Sequence, residues 1–177
     1  MTARPATLAD APAIARIYNE GIAEGSATFE TRLRTPEEIV TWFDGVHPLV
    51  VVERNAEVVA FAGSSVYRPR ACYAGVAEFS VYVARKHRGM GLGREAMEAL
   101  IEVAGASGLW KLVSRVFVGN TASRRLLSRV GFREVGVYRR HGRLHGVWRD
   151  VVIVERLIGE AALDDRLPHD TERDVAS

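Results

Sequence analysis

The sequence predicts an α/β or α+β protein built around a single mixed sheet, and three observations carry that reading. Segments with helical spacing of apolar residues alternate along the chain with β-branched runs. The 177 residues amount to about one domain. No internal repeat, low-complexity stretch or Pro/Gly/Ser-rich linker divides them.

The first helix is signalled near Thr7, with Asp10 three residues on as a weak capping box and Ile14, Ile17, Tyr18 and Ile22 at helical spacing. A second begins at Thr35 as N-cap, with Pro36 at the first helical position, Glu38 completing the box, and Ile39, Trp42 and Phe43 as its apolar stripe. Between them, Gly25 to Arg34 is a polar loop around Phe29, long enough to wall a pocket. Leu49 to Glu53 and Glu57 to Val66 are β-branched runs joined by Arg54-Asn55-Ala56, which reads as a hairpin. Ala74 to Ala84 is a further strand, in which Glu78, Ser80 and Tyr82 alternate with Phe79, Val81 and Val83. A helix from about Arg94 places Met97, Leu100, Ile101 and Ala104 on one face and is closed by Gly105 and Gly108. Trp110 to Val118 is a strand, Thr121 to Val130 a short helix, and Phe132 to Arg140 and Trp148 to Ile158 the last strands. From about Gly159 the chain runs short of aromatic and β-branched residues. We therefore expect one domain over 1–160 and a tail, either a short helix or frayed, over 161–177.

Composition narrows the class. Hydrophobic residues at 47% and charged residues at 26% exclude a disordered chain, a collagen and a coiled-coil rod. No window supplies the roughly 18 consecutive apolar residues of a membrane span, and the opening lacks the apolar core of a signal peptide. Cys72 is the single cysteine, so an internal disulfide is impossible and a cytoplasmic location is expected. A net charge of +2 is too balanced to indicate a nucleic-acid binder.

The most informative segment is Arg85-Lys86-His87-Arg88-Gly89-Met90-Gly91-Leu92-Gly93-Arg94, which joins a strand to a helix. Its three glycines let the backbone turn sharply and aim several N–H groups at one point. The helix start adds its positive dipole end, so a phosphate or pyrophosphate fits here. The dinucleotide fingerprint fails because Arg94 stands where the third glycine belongs, and the P-loop fails because no Gly-Lys-Ser/Thr is present. What fits is Arg88-x-x-Gly91-x-Gly93, which resembles the acyl-CoA pyrophosphate loop of the GCN5-related N-acetyltransferases (GNAT). Asn120-x-x-Ser123 followed by Gly131-Phe132 is similar to the family's second cofactor-contacting helix and the strand after it. Phe29-x-Thr31, Arg70-x-x-Tyr73, Glu78-x-x-Val81-Tyr82-Val83 and His145-Gly146-x-Trp148-x-Asp150 together resemble the phosphinothricin and arsinothricin N-acetyltransferase branch.

The resemblance implies a central mixed, mostly antiparallel twisted sheet flanked by helices, acetyl-CoA as cosubstrate, and a homodimer. It implies that Val81, Tyr82 and Val83 offer backbone groups to the pantetheine arm. The turn Arg88, Gly89, Met90, Gly91, Leu92, Gly93 and Arg94 would hold the pyrophosphate, with Asn120 and Ser123 on the other side. Arg85, Lys86 and Arg88 suit the remaining phosphates.

Acetyl transfer to an amine needs a base, because an α-amine is largely protonated at neutral pH. Glu78 is the best candidate: the resemblance places the family's glutamate there, and its neighbours Ala77 and Phe79 are apolar, which favours a raised pKa. The competing reading is a solvated strand glutamate paired with an arginine. His145 is the second candidate, as a proton relay or as a hydrogen-bonding partner of the acceptor. His141 and His145 lie on a loop or strand without a third ligand nearby, which argues against a metal site. Leu127 occupies the place of the family's usual tyrosine acid, leaving water, Tyr82 or Tyr138 for that role.

For the acceptor, Phe29, Thr31, Arg70, Tyr73 and His145 are the expected contacts, with Arg68, Arg139, Arg140, Arg143 and Arg149 nearby in sequence. Guanidinium groups grip oxo-acids bidentately, which favours a small amino acid with a second acidic, oxygen-rich group, and the resemblance implies one of the phosphinothricin, arsinothricin or methionine sulfone type. A peptide N-terminus as acceptor, or a non-catalytic acyl-CoA sensor, are the alternatives.

Overall fold

The computed structural model describes residues 2–163. Seven strands form one sheet in the order β1-β2-β3-β4-β5-β7-β6. The strands are β1 (Thr2–Pro5), β2 (Leu49–Arg54), β3 (Glu57–Val66), β4 (Val76–Val83), β5 (Lys111–Phe117), β6 (Arg133–Leu144) and β7 (Val147–Leu157). Four α-helices accompany them: α1 (Ala11–Glu24), α2 (Pro36–Val40), α3 (Leu92–Ala106) and α4 (Thr121–Arg129). Every neighbouring pair is antiparallel except β4 and β5, which run parallel because α3 carries the chain across between them. The expected helix-flanked mixed sheet is thus present.

Strand alternation divides the core. Val50 and Val52 face α3, whose Leu92, Ala96, Met97, Leu100 and Ala104 pack with Ala62, Ala77, Leu112, Val152 and Val154. Leu49 and Val51 face the other way, toward Ile14 and Ile17 of α1, with Phe61 and Ile39. A third cluster joins Phe117, Leu144 and Val151 to Phe29 of the α1–α2 loop.

Local chemistry sets the boundaries. Asn55 and Ala56 adopt positive φ of 49° and 61°, making the two-residue turn that pairs Arg54 with Glu57. The Thr35–Glu38 box forms as read, but α2 ends at Val40, and Trp42 and Phe43 pack from the turn beyond it. The Thr7–Asp10 box closes a 3-10 turn over Leu8–Asp10, and α1 itself starts at Ala11. Helix α3 starts at Leu92, earlier than Arg94, because Gly91 rather than a side chain turns the backbone into it. Strands β6 and β7 extend past Arg140 and before Trp148 to a tight turn at His145-Gly146, with an irregularity between Tyr138 and Gly142. Strand β1 was not anticipated: Thr2 to Pro5 pair with Glu53 to Val50, holding the amino end to the sheet edge. A 3-10 turn spans Gly159–Ala162, and the expected tail falls, from 164 onward, outside the described residues. No helix among the described residues is long and apolar enough to cross a membrane.

Candidate active site

Strands β4 and β5 pair over Val76↔Lys111, Ala77↔Leu112 and Glu78↔Val113, and pair no further, although β4 runs on to Val83 and β5 to Phe117. The sheet therefore opens into a wedge-shaped cleft of about 660 Å³. One wall is Phe79, Ser80, Val81, Tyr82 and Val83, and the other is Ser114, Arg115 and Val116. An opened ladder leaves one backbone edge of each strand available to a ligand, as an added strand would use it.

The glycine turn forms the mouth of the cleft. Gly89 and Gly91 take φ of 78° and 82°, the left-handed region that favours glycine, and both line the cleft. Gly91 is the N-cap of α3, and no side chain caps that helix, so its first amides are left for an incoming anion. Gly93 has a packing role: a Cβ there would lie 2.5 Å from Leu126 Cδ1, so its absence lets α3 and α4 close together. Leu92 is buried in the core, which leaves only its backbone for the cleft, and Arg94 lines the cleft while its Nε donates to Glu98 at 2.7 Å. Met90 points elsewhere, accepting at sulfur from Arg54 Nη1 at 3.5 Å.

A carboxylate organises the basic run. Glu24, at the end of α1, accepts from Arg85 Nε and Arg88 Nη1, each at 2.8 Å, and Arg88 Nε also donates to the Val83 carbonyl at 3.2 Å. Arg88 and then Arg85 hold the Glu24 carboxyl below the usual glutamate value against its partial burial. His87 was not singled out by sequence reasoning, although it stood in the basic run. It lines the cleft, and its Nδ1 is buried without a partner among the described residues. An orphaned ring nitrogen, uncapped helix amides and an opened strand edge together suit a ligand carrying phosphates and amide groups. On the far wall, Asn120 Oδ1 caps α4 by accepting from Ser123 N at 3.1 Å, which leaves the Asn120 amide group to donate into the cleft that both residues line.

Glu78 stands on the last paired rung, at the apex of the wedge. Its Oε1 and Oε2 accept from Arg115 Nη2 and Nη1 at 3.0 and 3.1 Å, so the arginine pairing weighed against a catalytic reading is present. Sequence reasoning missed Arg115, since nothing local links residues 37 positions apart on two strands. Tyr82 packs its ring on Phe61 and edge-on to Tyr18, and burial pushes its hydroxyl well above the ordinary value. Leu127, also in the cleft wall, carries no hydroxyl at all.

The expected acceptor residues are spread out. Phe29 packs edge-to-face on Phe117 at 4.8 Å and against Gly142, tying the α1–α2 loop to the β6–β7 hairpin. Thr31 is exposed on the same loop. Arg70 is exposed in the link before β4, where Tyr73 meets Tyr67 edge-on at 5.7 Å. In that link Arg68 lies over the Tyr67 ring, and the Tyr67 hydroxyl raises its pKa. His145 sits at the exposed hairpin tip with φ of 48°. None of Thr31, Arg70, Tyr73 and His145 lines the main cleft or the adjoining cavity of about 720 Å³ beside Phe117, Asn120 and Trp148.

Comparison with known proteins agrees with this geometry. Residues 15–132 match the model of the acetyltransferase (GNAT) family. The chain is 36% identical over 160 residues to a phosphinothricin N-acetyltransferase of Streptomyces coelicolor, covering 86% of this chain and 94% of that one. It is 35% identical over 160 residues to an L-methionine sulfoximine/L-methionine sulfone acetyltransferase of Pseudomonas aeruginosa, covering 86% and 91%. Among solved structures, a GNAT superfamily phosphinothricin acetyltransferase from Sinorhizobium meliloti in complex with acetyl-CoA superposes with a TM-score of 0.84, at 27% identity over 96% of this chain and 94% of that one.

Proposed function

This chain belongs to the acetyltransferase (GNAT) family, and from that premise we propose that it moves the acetyl group of acetyl-CoA to the α-amine of a small amino acid with an oxygen-rich side-chain end, of the phosphinothricin or methionine sulfone type. The observation that carries the reading is the wedge between β4 and β5, with uncapped helix amides at its mouth and a carboxylate at its apex. Bound there, acetyl-CoA supplies a thioester carbonyl open to attack by an amine.

The chain's own groups do the rest. Amides of the Gly89–Gly93 turn, with His87 Nδ1, face the pyrophosphate, while the Asn120 amide and the free edge of β4 hold the pantetheine arm. Glu78 takes the proton from the acceptor amine, directly or through water. Each of its oxygens has a second lone pair besides the one that Arg115 occupies. The leaving thiolate has a pKa near ~8.5, so water suffices to protonate it where Leu127 provides no acid. The burial of Tyr82 among Tyr18 and Phe61 keeps that hydroxyl out of the proton route. His145 stays outside that route too, because it lines neither cavity. Arg70, at the β3–β4 link, also lies outside both cavities and is assigned to the oxygen-rich distal end of an acceptor that projects beyond the cleft. Val135, Val137 and Tyr138 lie about half exposed along the edge strand β6, which supports a homodimer through that edge.

The test is CoA release with a thiol reagent, using phosphinothricin, arsinothricin, methionine sulfone, spermidine and a short peptide side by side. A saturable signal with one of the first three and none with spermidine is expected. Silence from all five, with acetyl-CoA still bound, would overturn the reading in favour of an acyl-CoA sensor.

A further inference from the structure

Arg115 is the charged side chain that separates the apex carboxylate from the cleft. It lines the cleft while Glu78 does not, so an amine approaching Glu78 from the thioester side passes the guanidinium. The ion pair uses one N–H on each Nη, leaving three of the five guanidinium donors, and the guanidinium makes no other hydrogen bond among the described residues. Its side chain is 39% exposed, so those donors are accessible.

These positions constrain the acceptor. In an α-amino acid the amine nitrogen and the nearer carboxylate oxygen are held about 3 Å apart by the shared Cα. Glu78 and Arg115 are in direct contact at 3.0 Å, the same spacing. An amine within hydrogen-bonding reach of Glu78 therefore brings its own α-carboxylate onto the unused edge of Arg115, with two carboxylates flanking one guanidinium. An ω-amine has no such neighbour, and a peptide N-terminus has only a neutral carbonyl there.

Resting on the acetyltransferase reading above, we infer that Arg115 binds the acceptor's α-carboxylate and thereby restricts the site to free α-amino acids. Arg70 is left for the distal group. The two arginines divide the ends of the acceptor, and the one nearer the chemistry reads the feature common to all amino acids.

The experiment compares methionine sulfone with its α-carboxamide in the wild-type protein, Arg115→Gln and Arg115→Lys, reading CoA release and, by calorimetry, acceptor binding to the CoA-loaded protein. The wild type is expected to favour the acid by about 100-fold in kcat/KM, because a donor set built for a carboxylate is left unpaired by the amide. Arg115→Gln brings the two acceptors within about threefold of each other. Arg115→Lys keeps an intermediate preference, having the charge but not the fork. A purely structural role would slow both acceptors equally and leave their ratio alone, and a wild-type ratio in Arg115→Gln overturns the inference. If the wild type turns over neither acceptor yet binds the acid alone, and Arg115→Gln loses that selectivity, the acceptor reading above fails while this inference stands. Equal binding of both acceptors by the wild type, or binding of neither, overturns it.

Discussion

Asp10 offers the sharpest test of how the site is anchored, because the whole entry to α1 hangs on one carboxylate. It is 7% exposed, and its two oxygens accept four hydrogen bonds: from Arg4 Nη1 and Nη2 at 2.8 and 2.9 Å, and from Thr7 N and Oγ1 at 2.7 and 3.0 Å. Arg4 Nε reaches Glu53 at 2.6 Å, so the cluster ties β1 to β2 as well as to the helix. The Arg4 guanidinium, against the opposing cost of burial, lowers the Asp10 carboxyl from 3.8 to about 2. At ~1.36 kcal/mol per tenfold, that drop corresponds to about 2 kcal/mol of folding stability. Since the folded value is depressed, the contribution is fully present above pH 4 and is lost as pH falls toward 2. Asp10→Asn keeps the shape and one acceptor but loses the charge. We expect it to unfold about 2 kcal/mol more easily at pH 7 in urea, a loss of roughly 4–8 °C in Tm for a chain of this length. The gap between wild type and variant should narrow steadily in matched titrations down to pH 2. A gap equally wide at pH 7 and pH 2 would refute the charge-based account and leave only packing.

The remaining predictions concern the site. Glu78→Gln should lower turnover by about 100-fold near neutral pH with acetyl-CoA affinity kept; near wild-type turnover would remove Glu78 as the base. Gly91→Ala forces a Cβ into the left-handed region at φ 82°, a cost of about 1–2 kcal/mol, so calorimetry should show acetyl-CoA binding weakened by about tenfold. Val137→Glu on the exposed edge of β6 should convert a dimer to a monomer in light scattering, and a wild-type chain already monomeric there would end the dimer proposal.

What the sequence made legible was whatever its chemistry keeps local. Thr35 and Glu38 are three residues apart and bond each other, and the turn at Asn55-Ala56 joins neighbouring strands, so short windows sufficed for both. The glycine turn was readable for the same reason. Strand β1 escaped because its four residues include Arg4 and Pro5 and owe their conformation to β2, whose Glu53 pairs with Thr2. Trp42 and Phe43 fitted a helical stripe, yet they pack just as well from a turn, which periodicity cannot distinguish. Arg115 escaped most completely. Its bond to Glu78 depends on the register of a parallel pair that only the folded sheet defines. The orphaned nitrogen of His87 is likewise a property of what surrounds it, not of the basic run it belongs to.

The three-rung contact between β4 and β5 also has a mechanical meaning. On one side of it lie β1 to β4, on the other β5 to β7, and among the described residues main-chain bonds cross between them only at those rungs and just before them, where Trp110 N donates to the Gly75 carbonyl at 2.8 Å. Side chains add the Glu78–Arg115 ion pair and packing across the line, with Phe79 against Phe132 at 4.6 Å among the contacts. The molecule is therefore two half-sheets stitched by a short seam, and the cleft is the unstitched length of it. On the proposed binding mode a ligand seated there would bond to both halves at once and continue the seam, so occupancy and stiffness should rise together. Pulled along the strands or probed by amide exchange, the empty protein should part along this line first.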